Sequence, residues 1–236
     1  MKKVLICTMI ASMFFTFACK SNTKEKTSTE KKLVALSFDD GPNEEMTNLI
    51  LDKLEKHNVP ASFFVIGQLV NESTAPVLQR MTSLGCDIHN HSWAWDSMDN
   101  MSPKEIKESI KKTSDAVYKY SGQTPKFFRA PNLATSDTLF ENAGLPFICG
   151  VICMDWAGCD TTAKDRANNA INGAKDGAII LLHDVQPYPH PTPEAVEIII
   201  KKLKKQGYEF VTVSELFKRK GVTPDPKADF AWTYVK

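Results

Sequence analysis

From Leu33 onward the chain switches between two spacings of apolar residues. Leu33-Val-Ala-Leu-Ser-Phe38 is a short, mostly apolar run, the length of a buried strand, and Asp39-Asp40-Gly41-Pro42 ends it in two carboxylates and a forced turn. Met46, Leu49, Ile50 and Leu54 then fall at helical spacing, which predicts a helix within residues 43–57. The same reading predicts further strands over 61–66, 86–90, 126–129, 147–153, 178–182 and 208–211. It predicts helices over 75–84, 102–120, 136–142, 163–174, 192–206 and 213–220. Ser102, Pro103 and Glu105 form a helix start signal, and Gly85 is a stop. Strand and helix alternate about seven times, which predicts an α/β fold with a parallel sheet closed into a barrel. An open doubly wound sheet suits the alternation too. The lack of Gly-x-Gly-x-x-Gly after any strand counts against its dinucleotide-binding form.

The first residues follow another rule. Met1-Lys2-Lys3 is basic and 4–18 is largely apolar, too short to span a bilayer and proportioned like a signal peptide. Thr16-Phe-Ala-Cys19 resembles a bacterial lipoprotein cleavage box. Residues 1–19 are therefore expected to be a lipoprotein signal, with Cys19 the lipidated residue of an exported protein held to a membrane by that anchor alone. Residues 20–32 are Lys, Ser, Thr, Glu and Asn almost throughout and are expected to be a flexible tether. Residues 33–236 suffice for one domain with a core. The net charge of +1 offers no reason to propose a nucleic-acid partner. Cys86, Cys149, Cys153 and Cys159 stand in this domain, and they are read either as buried thiols or as disulfides whose pairing the sequence does not choose. Nothing in it fixes the oligomeric state.

Chemical residues recur at strand ends. Asp39-Asp40 ends the first strand. Later strands end in His89-Asn-His91-Ser-Trp-Ala-Trp95-Asp96, in Arg129-Ala-Pro131-Asn132, in Asp155-Trp156 and in Leu181-Leu-His183-Asp184. Singly, each cluster is as consistent with a hydrogen-bonded strand exit as with chemistry. Together they place a carboxylate-rich, metal-competent pocket at one end of a barrel. Adjacent carboxylates repel unless a cation offsets them, and a divalent metal on one leaves the other free as a base.

Ser37-Phe-Asp39-Asp40-Gly-Pro42, the ordered clusters after it, and Gly207-Tyr-Glu-Phe-Val-Thr-Val-Ser-Glu-Leu216 resemble the polysaccharide deacetylases, the NodB-homology carbohydrate esterases. The resemblance implies a distorted (β/α) barrel that removes acetyl groups from N- or O-acetylated polysaccharides or oligosaccharides with a divalent metal, usually zinc. It makes Asp39 the general base, held by Arg129, and His183 the general acid, charged and oriented by Asp155. Asp40 and His91 become metal ligands. Trp156 walls the groove, Leu181 lines the acetyl pocket, and Pro131 with Asn132 contacts substrate, the Asn132 amide completing an oxyanion site. Two departures stand out. Trp95 occupies the place of the family's second metal-binding histidine, which leaves Asp96, His89 or water to fill it. Asn132 and Leu133 replace an aromatic residue and a glycine, and Ile152 replaces an aspartate. Two other functions compete with the deacetylase: a carbohydrate-binding relative with an impaired metal site, and an exported hydrolase of a non-sugar amide.

Overall fold

The computed structural model describes residues 31–157, 161–184 and 190–236. The expected signal, Cys19 and nearly all of the expected tether lie outside those residues, as does Cys159. Among the described residues there are eight strands and seven α-helices. In order they are β1 (Lys32–Asp39), α1 (Met46–His57), β2 (Ser62–Val65), α2 (Ala75–Ser83), β3 (Asp87–Asn90), α3 (Pro103–Ser121), α4 (Asp137–Ala143), β4 (Phe147–Ile148), β5 (Val151–Ile152), α5 (Ala163–Gly173), β6 (Ala178–His183), α6 (Thr192–Lys205), β7 (Tyr208–Phe210), α7 (Val213–Arg219) and β8 (Ala231–Trp232).

β1 is the axis. It pairs in parallel with β6 along Val34–Asp39, with β2 over Ser37–Asp39, and with β7 over Lys32–Val34. β2 continues to β3, and β6 to β5, all parallel. The gap between β3 and β4 is crossed by one residue, Phe128, which bridges both Asn90 and Phe147. The strand expected over 126–129 is thus a single bridge. The strand expected over 147–153 is two short ones, because Gly150 turns the chain between them at φ +140. A Cβ there would stand 3.0 Å from that of Leu181. β8 was not expected from the sequence, and it pairs with β4. The residues after it reach β6, where Ile179 N–H donates to Thr233 at 3.0 Å. The barrel is therefore closed but distorted, with eight strands where about seven were expected.

The two-residue period of a strand decides what faces where. Along β1, Val34, Leu36 and Phe38 pack outward against the helices, with Ile50, Leu54, Ile199 and Leu203. Leu33 and Ala35 point into the barrel, with Phe64, Phe127, Ile179 and Phe217. Ser37 and Asp39 continue the inward set. In β6, Ala178, Ile180 and Leu182 go outward and Ile179 inward, so Leu181 and His183 also point in. Two helices start on complete capping boxes: Ser102 with Glu105 on α3, and Thr162 with Asp165 on α5.

Candidate active site

The β1–β6 register sets Asp39 beside His183 at the carboxyl ends of two adjacent strands. Each is one half of a buried pair. The Arg129 guanidinium grips the Asp39 carboxylate through Nη1 and holds Ser37 Oγ at 2.9 Å and the Cys149 carbonyl at 2.5 Å through Nη2. Its underside lies 4.1 Å from the centre of the Phe64 ring. Arg129 is fully buried, so this set of partners replaces its hydration. On the other side His183 Nδ1 meets Asp155 Oδ1 at 2.9 Å, and the His183 backbone N–H donates to Oδ2 at 2.7 Å. Burial works against a charged imidazole, but the bond and charge of Asp155 prevail, pushing the His183 pKa up to about 9. His183 is therefore a proton donor at neutral pH, with its Asp155-facing edge fixed.

Between these pairs lie Asp40 and His91. His91 Nδ1 is 2.7 Å from the Arg129 carbonyl oxygen, which assigns the proton to Nδ1. Nε2 is left facing Asp40 Oδ1 at 3.4 Å and Asp39 Oδ2 at 3.8 Å. Burial lowers the His91 pKa, and the charges of Asp39 and Asp40 more than reverse that. Burial likewise raises that of Asp40, and His91, His183 and a hydrogen bond from Trp95 pull it below its usual value. An imidazole nitrogen set by a carbonyl and aimed at two carboxylates is a cation-attracting arrangement. It is an incomplete one: among the described residues no group of three His, Cys, Asp or Glu side chains is placed to hold a metal. Asp40 and His91 fit a divalent ion as two ligands of an open site.

The two residues expected as substitutes for the missing ligand are placed elsewhere. Asp96 lines a separate cleft of about 270 Å³ with Trp93 and Lys112. His89 does share the inward face with His91, as strand alternation requires. Its ring, however, is packed between Phe64 and Phe127, with Nε2 3.5 Å from Asp87. Phe64 lies between it and Arg129, one layer below the site.

Asp39, Asp40, His91, Trp95, Pro131, Asn132, Trp156, Leu181 and His183 line one cleft of about 520 Å³, with Ile152, Met154 and Leu133 on its rim. Leu181 is buried and Trp156 is 52% exposed. Asn132 sits at φ 57 in a short 3-10 turn, Pro131–Leu133. The turn's own hydrogen bonds use the N–H groups of Leu133 and Ala134, not that of Asn132.

Sequence reasoning missed the support behind Asp155. Thr192 Oγ1 donates to its Oδ2 at 3.2 Å, His190 Nε2 meets its carbonyl at 3.0 Å, and buried Arg166 contacts both His190 and Thr192. These residues come from distant segments, and only His190, shortly after His183, carried any signal. Asp184, just after β6, is another residue whose part only the fold reveals. Its carboxyl accepts the Gly41 N–H at 2.9 Å and the Thr47 hydroxyl at 2.6 Å, pinning the turn after Asp40. Burial, only partly offset by these bonds, pushes its pKa up to about 7. Cys86, Cys149 and Cys153 are free thiols.

A distorted parallel barrel with the pairs Asp39–Arg129 and His183–Asp155 across one cleft fits the NodB-type barrel that the sequence resemblance implies. Comparison with known proteins agrees. The polysaccharide deacetylase family model matches residues 26–147. A family 4 acetyl xylan esterase from Clostridium thermocellum, solved with a cobalt ion, is 56% identical, covers 86% of this chain and 99% of its own, and superposes with a TM-score of 0.84. A bifunctional xylanase/deacetylase of Pseudobutyrivibrio xylanivorans is 44% identical over 92% of this chain and 36% of its own length. The peptidoglycan-N-acetylglucosamine deacetylase PgdA of Listeria monocytogenes is 37% identical over 83% of this chain and 41% of its own. The chain belongs to the polysaccharide deacetylase family, and it spans about two fifths of the length of those two curated relatives.

Proposed function

We propose that the protein hydrolyses acetyl groups from acetylated xylan. The observation that carries this is the register pair Asp39 and His183, each tied to a buried partner of opposite charge at the floor of one cleft. The similarity to an acetyl xylan esterase and to a xylanase/deacetylase supports xylan as the glycan.

In this reading Asp40 and His91 hold a divalent cation, proposed to be zinc. When bound, the cation supplies Lewis acidity toward water and the acetyl carbonyl. The chain's own residues do the proton work. Asp39, aligned by Arg129, accepts the proton of the attacking water. The Asn132 N–H faces the developing oxyanion. Leu181 receives the acetyl methyl. His183, protonated and aligned by Asp155, gives its proton to the departing sugar oxygen, so acetate and the free hydroxyl leave. Trp156, at the rim, stacks on the sugar.

The same reading keeps the protein outside the cytoplasm, anchored through Cys19, where a polymeric glycan is reached. The test is acetate release by the metal-loaded chain from acetylated xylan, acetylated chitooligosaccharide and peptidoglycan, with and without chelator. Chelator-sensitive release that is fastest on xylan is the expected result. Release from peptidoglycan alone would reassign the substrate, and release from none would leave a binding protein.

A further inference from the structure

Six large apolar side chains stand exposed among the described residues: Trp95, Tyr118, Ile152, Met154, Trp156 and Phe230. Four of them line the catalytic cleft. A fifth, Phe230, lines a neighbouring cleft of about 260 Å³ that shares Ala130 and Leu133 with the catalytic one. The Ala130–Leu133 turn is thus a common wall, and the exposed apolar surface runs along both of its sides. Grouped exposed apolar surface of this kind marks a binding face.

Phe230 is braced from behind. Its ring lies 5.0 Å from that of Trp232 in β8, Trp232 meets Phe217 edge-on at 5.3 Å, and Phe217 stacks on Phe127 at 5.0 Å. The ladder ends inside the barrel. The Phe230 ring rests against Trp232 at a tilt of 57° while 48% of the residue remains in solvent. An aromatic ring fixed in advance loses little freedom when a ligand lies on it. Asp229, beside it in the same cleft, brings a carboxylate that accepts hydrogen bonds from hydroxyl groups. A flat apolar face with an acceptor at its edge matches a pyranose ring, which has C–H bonds on its faces and hydroxyls at its rim.

Building on the acetyl-glycan reading above, we propose that the Phe230 cleft is a second glycan subsite. It holds sugar units of the same polymer that lie beyond the acetylated one. The occupant follows from continuity: a chain seated at His183 and crossing the Ala130–Leu133 wall next meets Phe230.

Calorimetric titration with unacetylated xylooligosaccharides of increasing length tests this without any turnover. The wild-type affinity should rise with chain length. Phe230→Ala should lose about tenfold for the long oligosaccharides and little for the shortest, while Phe230→Tyr, which keeps the ring, should bind like the parent. Thermal unfolding of each variant checks that the fold is kept. Affinity independent of length, or a long-chain affinity unchanged in Phe230→Ala, would overturn the proposal. Phe230-dependent binding in a chain that releases no acetate would keep the subsite and remove the catalytic reading instead.

Discussion

Trp95 gives its hydrogen bond to Asp40 at the place where relatives of this family carry a second metal-binding imidazole. An indole nitrogen has no lone pair for a cation, so Trp95 steadies one ligand and supplies none. A catalytic zinc normally has three protein ligands. With Asp96 in another cleft and His89 beneath Phe64, neither is placed to supply a third ligand to the proposed cation. Zinc affinity measured by calorimetry on stripped protein should therefore be weak, and Trp95→His should tighten it by at least about tenfold. Equal affinity of the two would show that the vacant position is filled by another route. His183 supports a second prediction. Its pKa is raised from 6.5 to about 9, so its pairing with Asp155 stabilises the fold fully below pH 6.5 and is lost as pH rises through about 9. Melting of the metal-free protein should show this loss between those limits, and Asp155→Asn should flatten it. Because Asp184 titrates near pH 7 on its own account, the difference between the parent and the variant is the quantity to follow.

At the scale of elements, β1 and β6 were readable because each is a nearly continuous apolar run, and α3 because its capping box is local. What escaped was non-local. β8 is two residues long, and what defines it is its pairing with β4, far away in sequence. Phe128 looks like part of a strand and is one bridge: the flanking Phe127 carbonyl and Arg129 N–H both pair with Asn90, and the ladder goes no further. The site divides the same way. Asp39, Asp40, His91, Arg129, Asp155 and His183 announced themselves as polar residues at strand ends, whereas the Arg166–His190–Thr192 support needed the folded chain to assemble it. The segment after β8 is bound tightly: Gly177, at φ +84, faces Val235, and a Cβ there would fall 1.8 Å from its carbonyl oxygen. Gly177→Ala should therefore push the C-terminal segment off β6 and lower stability by roughly 2–4 kcal/mol in denaturant melts. A neutral effect would mean that this segment does not contribute to closing the barrel.

Over the whole molecule, the barrel brings residues from β1, β3, β6 and the intervening turns to one rim, and the exposed Trp95 and Trp156 stand beside them. The proposed anchor at Cys19 would suit a polymeric substrate that cannot be taken up. Lipidation is checked by mass spectrometry of the mature chain: the expected product begins at a diacylglyceryl-modified Cys19, and a retained Met1 would contradict it. The central claim is that Asp39 and His183 are the base and the acid of a deacetylase. The most direct measurement is the steady-state rate of acetate release from acetylated xylan by the zinc-loaded parent, Asp39→Asn and His183→Ala, each shown to be folded and metal-bound. Both variants should lose on the order of 10²–10⁴ in kcat. A rate within a few-fold of the parent in either variant, with its fold and metal intact, would contradict the account.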